Sequence, residues 1–210
     1  MTEEAALHFK LSTLGECVPL KLNIDPELYK KELSIYTDNW KPYNPRKENH
    51  RRYGLSLTSL DGQFGGPDLD SIYEYNRENK TQLRESSFRE PTLALKNSRC
   101  FEAIIQSFDL GRSHILKFDK GGFFPPHRDS FGLSGECFRL VCPLENANWN
   151  QLGFVLNDKQ LRMNQWQFYF LDTSKVHSVF SFEDGATLLV LNVLLNEKNY
   201  YALLRNLETI

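Results

Sequence analysis

The second half of the chain predicts a mainly β fold, a sandwich or jelly roll. From residue 112 onward, short apolar runs recur at close spacing, and Gly, Asn, Asp and Pro separate them. Several runs alternate apolar and polar residues with a period of two, the pattern of a strand with one buried face. Closely spaced strands with turn signals between them are typical of folds that pack β-sheets face to face.

The predicted strands cover residues 113–118, 123–129, 136–144, 153–156, 167–171, 176–182 and 186–194. Asn157-Asp158 and Asp184-Gly185 are the clearest turn signals, and the second predicts a hairpin between the last two strands. The last strand contains TLLVLNVLL, which is too short to span a membrane and is interrupted by Asn192. A buried strand is the better interpretation.

The first hundred residues have a different pattern. Asp25 and Pro26 predict a helix that runs to about residue 36, with Asp25 as its N-cap and Pro26 at the first helical position. A second helix is predicted over residues 99–108, a strand and turn in RRYGLSLTSLDG, and a surface loop over residues 74–90. Without internal repeats, the sequence predicts a single domain, residues 1–210. It divides into an N-terminal helical and strand flank (1–111), a jelly-roll core (112–195) and a C-terminal helix (196–210).

Composition limits the possible partners. Hydrophobic residues make up 40% of the chain and charged residues 25%, as in ordinary globular proteins. The formal charge of −2 provides no overall field that would attract nucleic acid or anionic lipid. We therefore expect a small-molecule or peptidyl substrate, no nucleic acid and no membrane, and the oligomeric state stays open. Four cysteines without a C-x-x-C pair, together with a start that lacks a signal-peptide pattern, favour a cytoplasmic location.

The segment KGGFFPPHRDS carries the strongest chemical signal. His127 and Asp129 stand two positions apart at the end of an apolar stretch, and residues i and i+2 of a strand point to the same face. Both side chains can therefore bind one metal ion from a single strand. His177, which opens HSVFSF directly after LDTSK, is predicted to supply a second imidazole from a facing strand. Two histidines and one carboxylate form the facial triad of non-haem Fe(II) oxygenases.

Other interpretations of these histidines have less support from the sequence. A His-x-Asp pair alone is more often a hydrogen-bonded surface pair than a metal site. HRD also opens the kinase catalytic loop, but that loop requires Asn where Ser134 stands, and no D-F-G or glycine-rich kinase loop occurs. The zinc-peptidase string H-E-x-x-H is absent as well. The remaining histidines, His8, His50 and His114, have no comparable partner and are assigned to hydrogen bonding.

GGFFPPHRDS, then FRLVCPL, then LDTSKVHSVFSFEDG resemble, in this order, the Fe(II)/2-oxoglutarate-dependent dioxygenases. Within them the chain is most similar to the aspartyl/asparaginyl β-hydroxylase-like group that includes free-proline cis-hydroxylases, over residues 112–194. The resemblance implies a double-stranded β-helix, a cupin-like jelly roll. It implies a hydroxylase that uses Fe(II), 2-oxoglutarate and O2 on an amino acid, a peptidyl side chain or a small molecule, and releases succinate and CO2. His127, Asp129 and His177 would be the catalytic metal ligands.

One position departs from the family pattern. Much of the family carries an Arg or Lys about ten residues after the second histidine, where it pairs with the distal carboxylate of 2-oxoglutarate. Here that position is Thr187, and no Arg or Lys occurs between Lys175 and Lys198. Arg139, alone in an apolar strand, is the leading replacement, because a buried arginine needs an anionic partner. Thr187 is predicted to add a hydroxyl.

Several alternatives stay open from the sequence. Arg139 is equally compatible with a salt bridge to a structural carboxylate or with an edge position that faces water. An aromatic and cationic cluster either lines a substrate mouth or is ordinary lid packing; it comprises Trp40, Tyr43, Arg51, Arg52 and Tyr53. Two other functions also remain, a jelly-roll binding protein without turnover and a cupin-like metalloenzyme that does not use 2-oxoglutarate.

Overall fold

The computed structural model of the chain describes residues 3–129 and 135–208. The described helices are α1 (Glu3–Ser12), α2 (Pro26–Leu33), α3 (Ile72–Asn79), α4 (Leu93–Lys96), α5 (Glu102–Ser107) and α6 (Glu197–Asn206). The described strands are β1 (Cys17–Asn23), β2 (Lys41–Pro42), β3 (Arg52–Ser56), β4 (Thr58–Ser59), β5 (Glu90–Pro91), β6 (His114–Phe118), β7 (Phe123–His127), β8 (Cys137–Pro143), β9 (Leu152–Leu156), β10 (Lys159–Leu161), β11 (Gln167–Leu171), β12 (His177–Ser181) and β13 (Ala186–Leu194).

Two antiparallel sheets form the body of the described chain. The major sheet has the strand order β1-β11-β8-β13-β6-β3-β2, and the minor sheet has the order β10-β9-β12-β7. Strands that follow one another in sequence repeatedly lie in different sheets, as β6 and β7 do, and β11 and β12. The chain thus crosses back and forth between two facing sheets, which is the predicted double-stranded β-helix.

Apolar side chains cover both faces of the major sheet. Between the sheets, Leu116 and Leu188 pack with Phe154 of the minor sheet. On the outer face, Leu189 and Leu191 pack with helical residues of a second apolar cluster that includes α1, α2 and α6. This arrangement explains why β13 is apolar at almost every position although it is antiparallel, since neither of its faces meets water.

The helical flank follows the predicted start signals but not every predicted boundary. Asp25 caps α2, because its Oδ1 accepts hydrogen bonds from the backbone N–H groups of Glu27 and Leu28 at 2.9 and 3.1 Å. The α-helix ends at Leu33 and continues as 3-10 turns over Ser34–Asn39. The predicted helix over residues 99–108 is a 3-10 turn followed by α5.

Two predictions from local sequence were wrong. Residues 74–90, predicted as a loop, contain most of α3, which buries none of its residues and therefore lacks a clear apolar period. Asp184-Gly185 does not close a hairpin, since β12 lies in the minor sheet and β13 in the major sheet. The turn signal is local and equally suits a corner between sheets, where Gly185 adopts a φ of 72°. Asn157-Asp158 does form the predicted turn, between β9 and β10.

After β13 the chain enters α6, whose N-cap Asn196 accepts a hydrogen bond from the backbone N–H of Asn199 at 2.8 Å. The helix lies in the predicted C-terminal segment 196–210, the last two residues of which fall outside the described residues. In the part of the chain that the structure describes, no helix has the length and apolar character needed to cross a membrane.

The turn before β7 offers a test of the fold. A Cβ at Gly122 would lie 2.4 Å from the carbonyl oxygen of Arg51 and 2.8 Å from that of Asp119. Because both atoms belong to the backbone, Gly122→Ala must displace the start of the strand that carries His127. We expect a loss of about 1–3 kcal/mol in the free energy of unfolding, measured by urea denaturation. Lys120→Ala, at an exposed neighbour, serves as the control and should stay within about 0.5 kcal/mol of the wild type.

Candidate metal centre

His127 and His177 lie directly opposite each other on neighbouring strands. They are register partners in the antiparallel pair β7 and β12, and their ring centroids are 4.3 Å apart. A register shift between His177 and Val179 accompanies this pairing. His177 was predicted to come from a facing strand, but it comes from the adjacent strand of the same sheet. Strand pairing alone therefore brings the two imidazoles together.

Asp129 completes the group from just beyond the end of β7. Its backbone N–H donates to the carbonyl oxygen of Thr173 at 3.2 Å, which fixes the chain after the strand ends. Its Oδ1 lies 3.3 Å from His127 Nε2 and 3.6 Å from His177 Nε2. The three candidate ligand atoms all lie within 4.8 Å of one another, so a single metal ion can contact them together.

Backbone carbonyls set the orientation of both rings. His127 Nδ1 lies 2.7 Å from the carbonyl oxygen of Pro125, and His177 Nδ1 lies 3.0 Å from that of Lys175. A carbonyl can only accept, so each Nδ1 donates to its carbonyl and each Nε2 is directed toward the Asp129 carboxylate. This outer hydrogen bond is typical of metal-binding histidines. Phe124 stacks against His127, and Phe154 stacks against His177, which limits ring rotation.

Arg139 holds the other oxygen of the carboxylate. Its Nε donates to Asp129 Oδ2 at 2.7 Å, and its side chain is only 13% exposed. This geometry leaves Oδ1 directed toward the two Nε2 atoms. The interpretation of Arg139 as a water-facing edge residue is therefore wrong. Its buried Nη1 has no hydrogen-bond partner among the described residues, so one corner of the guanidinium stays available.

The charges of the site support one another. Burial alone would raise the pKa of the Asp129 carboxyl, but Arg139 and the two histidine rings outweigh it and hold that pKa well below its usual range. Burial disfavours the charged form of Arg139, yet Asp129 and Glu85 raise its pKa above the ordinary value. Burial likewise disfavours protonated His127, but its contact with Asp129 raises the pKa of the ring. Asp129 is therefore ionised and ready to bind a cation.

Thr187 does not lie with these residues. Its Oγ1 accepts a hydrogen bond from the backbone N–H of Glu145 at 2.9 Å, and the side chain is buried. Along β13 the neighbouring residues Leu188 and Val190 line the pocket, and Thr187 is one position out of step with both. Its predicted contact with a cosubstrate is therefore not retained.

The metal group opens into a cavity of about 100 Å³ between the two sheets. Three polar residues of its wall were not assigned to the site from the sequence: Arg112, His114 and Thr173. Tyr43, a candidate for the substrate mouth, lines the wall as well. The rest of the lining, apart from the residues already described, is Leu116, Phe124, Val141, Phe154, Leu171, Val179, Leu188 and Val190. Arg112, His114 and Leu116 alternate along the chain at the start of β6, and this period of two was the available signal.

Arg112 donates a hydrogen bond from each of its three guanidinium nitrogens at the edge of this cavity. Its Nε donates to Glu85 Oε2 at 2.9 Å, its Nη1 to the carbonyl oxygen of Asp70 at 2.7 Å, and its Nη2 to the Tyr43 hydroxyl at 3.4 Å. The Arg112 guanidinium is therefore a fixed positive charge beside the metal group.

The predicted aromatic and cationic cluster divides into two parts. Tyr43 lines the cavity, and the Arg52 guanidinium lies 3.8 Å from the centroid of the Phe124 ring. Burial lowers the pKa of Arg52 to about 10. Trp40 and Tyr53 instead surround the ammonium group of Lys117, and Arg51 donates to the carbonyl of Lys120. None of these three lines the cavity.

The fold and the site together define a double-stranded β-helix with a group of two histidines and one carboxylate at its open end. No protein-family model matches the chain, and no curated protein sequence matches it either. An oxidoreductase of the 2OG-Fe(II) oxygenase family from Burkholderia pseudomallei is similar in structure, with a TM-score of 0.50 at 16% identity, over 92% of this chain and 90% of that one. This match shows a shared fold.

Two other solved structures are more distant. A prolyl-4-hydroxylase from Pseudomonas putida aligns with a TM-score of 0.44 at 16% identity, over 91% of this chain and 97% of that one. KdgF from Halomonas sp. aligns with a TM-score of 0.32 at 13% identity, over 40% of this chain and 69% of that one. Similarity at these TM-scores supports no conclusion about activity.

The geometry predicts which side chains bind a metal ion. His127→Ala, Asp129→Ala and His177→Ala should each abolish tight binding of Co(II), because each removes one of three convergent ligand atoms. Calorimetric titration of Co(II) measures the affinity, and far-UV circular dichroism checks the fold. His50→Ala, at a histidine outside the group, is the matched control and should bind like the wild type. Wild-type affinity in all three variants would show that the metal does not bind here.

The Arg139–Asp129 pair predicts a coupling in the metal-free protein. Arg139→Met leaves the Asp129 carboxylate buried without a cation, so we expect a loss of about 3–5 kcal/mol in the free energy of unfolding. Combining it with Asp129→Asn removes the stranded charge and should recover much of that loss. Urea denaturation of the wild type, both single variants and the double variant completes the cycle. Strictly additive effects would mean that the two side chains do not interact in solution.

Proposed function

We propose that this protein is an Fe(II)- and 2-oxoglutarate-dependent dioxygenase that hydroxylates an amino acid, a peptidyl side chain or a small molecule. The observation that carries the proposal is the convergence of His127 Nε2, His177 Nε2 and Asp129 Oδ1, with both imidazoles fixed by backbone carbonyls. Two imidazoles and one carboxylate are the donor set that suits non-haem Fe(II) and leaves positions for other ligands.

The charge of the cavity supports a dianionic cosubstrate. Arg112 pairs with Glu85, and Arg139 pairs with Asp129, so these four buried or partly buried groups cancel. His114 adds no charge, because burial and the two neighbouring arginines hold its pKa well below the usual value. A divalent metal ion would leave two uncompensated positive charges in a poorly solvated space, which is unfavourable. The two carboxylates of 2-oxoglutarate would restore neutrality.

Each part of the site has a role in this proposal. Iron, when bound, would supply the activation of O2. In the overall reaction one oxygen atom enters succinate as CO2 is released, and the other becomes the hydroxyl group of the product. Asp129 and the two imidazoles hold the metal, and Arg139 keeps the carboxylate in place while its free Nη1 remains a donor for an anion. The apolar wall formed by Leu116, Val141 and Phe154 excludes water, which protects the oxidation from side reactions.

A binding protein without turnover is the second candidate. Thr187 favours it, because the position at which much of the resembling family carries a cation is occupied here by a hydroxyl that bonds to Glu145. A protein of this kind would keep the fold and the pocket but would not consume 2-oxoglutarate.

Anaerobic titration separates the candidates. Addition of 2-oxoglutarate to the protein with Fe(II) should produce a weak visible charge-transfer band, because the band requires both to bind at one centre. Exposure to O2 should then yield succinate, and candidate amino acids and peptides should be screened for those that stimulate it. His177→Ala should give neither signal, whereas His50→Ala should give both.

The remaining outcomes are also informative. Iron binding without a band would favour a cupin-like metalloenzyme that does not use 2-oxoglutarate. A band without succinate, under O2 and with all substrates tested, would favour the binding protein. Absence of iron binding would contradict the proposal.

A further inference from the structure

The cavity wall changes from polar to apolar along the strands of the major sheet. Three alternate positions of β13 and their register partners form three rows of the sheet. In the first row Arg139 lies beside Asn192, and in the second Val141 and His114 lie on either side of Val190. In the third row Leu116 lies beside Leu188. Arg112 precedes His114 by two positions and lies on the side of the first row. From the end of β13 toward its start, the residues that line the cavity therefore change from arginine and histidine to leucine. The position ten residues after His177 belongs to this apolar end.

Two buried polar atoms at the polar end lack partners. They are Arg139 Nη1 and His114 Nδ1, and neither has a hydrogen-bond partner among the described residues, although both side chains line the same cavity. His114 is 3% exposed, so water in bulk does not satisfy it. Buried polar atoms in folded proteins are almost always hydrogen-bonded, and an unpaired one indicates a ligand or an ordered water. Here the two side chains that carry these atoms line one cavity together with the metal group.

We propose that His114 of β6 and Arg139 of β8 receive the second carboxylate of 2-oxoglutarate, at the polar end of the cavity. The proposal rests on the proposed function and adds the placement of the cosubstrate. A neutral imidazole donates one hydrogen bond, and Arg139 Nη1 donates a charge-assisted one. Arg112 already donates to Glu85, Asp70 and Tyr43, one bond from each of its nitrogens, and its fixed charge favours an anion at this end.

The opposite end of the cavity offers no comparable site. Leu116 and Leu188 face the interior there, and the Thr187 hydroxyl points away toward Glu145. A carboxylate placed among these side chains would lose its hydration without gaining a partner, which is strongly unfavourable. The distribution of polar groups therefore favours a cosubstrate that extends toward the polar end of the cavity, where its carboxylate needs no cation after His177.

Anaerobic Fe(II) titrations with two oxoacids test this placement. 2-Oxopentanoate has the same five-carbon chain as 2-oxoglutarate but lacks the second carboxylate, and the charge-transfer band reports the affinity of each. His114→Leu should raise the Kd of 2-oxoglutarate about 10- to 100-fold, the scale of a hydrogen bond to a charged group. The Kd of 2-oxopentanoate should not change. His114→Gln retains a donor and should restore part of the affinity, and it provides the test if the Leu variant does not fold.

Matched controls complete the design. His50 also has a buried, unpaired Nδ1, but it packs on Phe123 outside the cavity, so His50→Leu should leave both affinities unchanged. Thr187→Val should also leave both unchanged. The placement would be overturned if His114→Leu and His114→Gln bound 2-oxoglutarate with the wild-type Kd. It would also be overturned if the variants lost affinity equally for 2-oxoglutarate and for 2-oxopentanoate. An effect of Thr187→Val confined to 2-oxoglutarate would assign the carboxylate to the other end. Failure of the wild type to bind 2-oxoglutarate would instead remove the proposed function.

Discussion

The ion pair between Arg139 and Asp129 is the contact on which the site depends. Arg139 lies on β8 in the major sheet, and Asp129 follows β7 of the minor sheet, so their 2.7 Å contact joins the two sheets across the open end of the sandwich. Asp129 lies beyond the last hydrogen-bonded residue of its strand. Without Arg139 and the carbonyl of Thr173, little else would hold its carboxylate beside the two histidines.

The same pair gives the cavity its electrostatic character. Arg139 and Arg112, the two arginines that line the cavity, each have one carboxylate partner, so these two ion pairs add no net charge to the metal-free cavity wall. A divalent cation disturbs this balance, and an acidic cosubstrate restores it. Metal binding and cosubstrate binding are therefore linked in this poorly solvated cavity. The charge of each ligand lowers the free-energy cost of burying the charge of the other.

The helical flank contributes by covering the outer face of the major sheet. With that face buried, the strands are fixed on both sides, and the residues that point inward are held in a constant register. This register separates His114 and Arg139 from the leucines at the other end of the cavity. The selectivity of the pocket therefore depends on packing that lies far from the metal group.

Sequence alone determined the strands from residue 112 onward except β10, the α2 cap at Asp25 and the identity of the three metal-binding candidates. These features rest on local periods and spacings, which a sequence displays directly. Tertiary structure alone decided that β12 and β13 lie in different sheets, that Arg139 contacts Asp129, and that Thr187 points away from the cavity. It also placed Arg112, which had no assigned role, and His114, which had been assigned only to hydrogen bonding, at the polar end. The physical reason is that sheet order and cross-sheet contacts depend on residues far apart in the chain, and a period of two indicates that two faces exist without showing what either face meets.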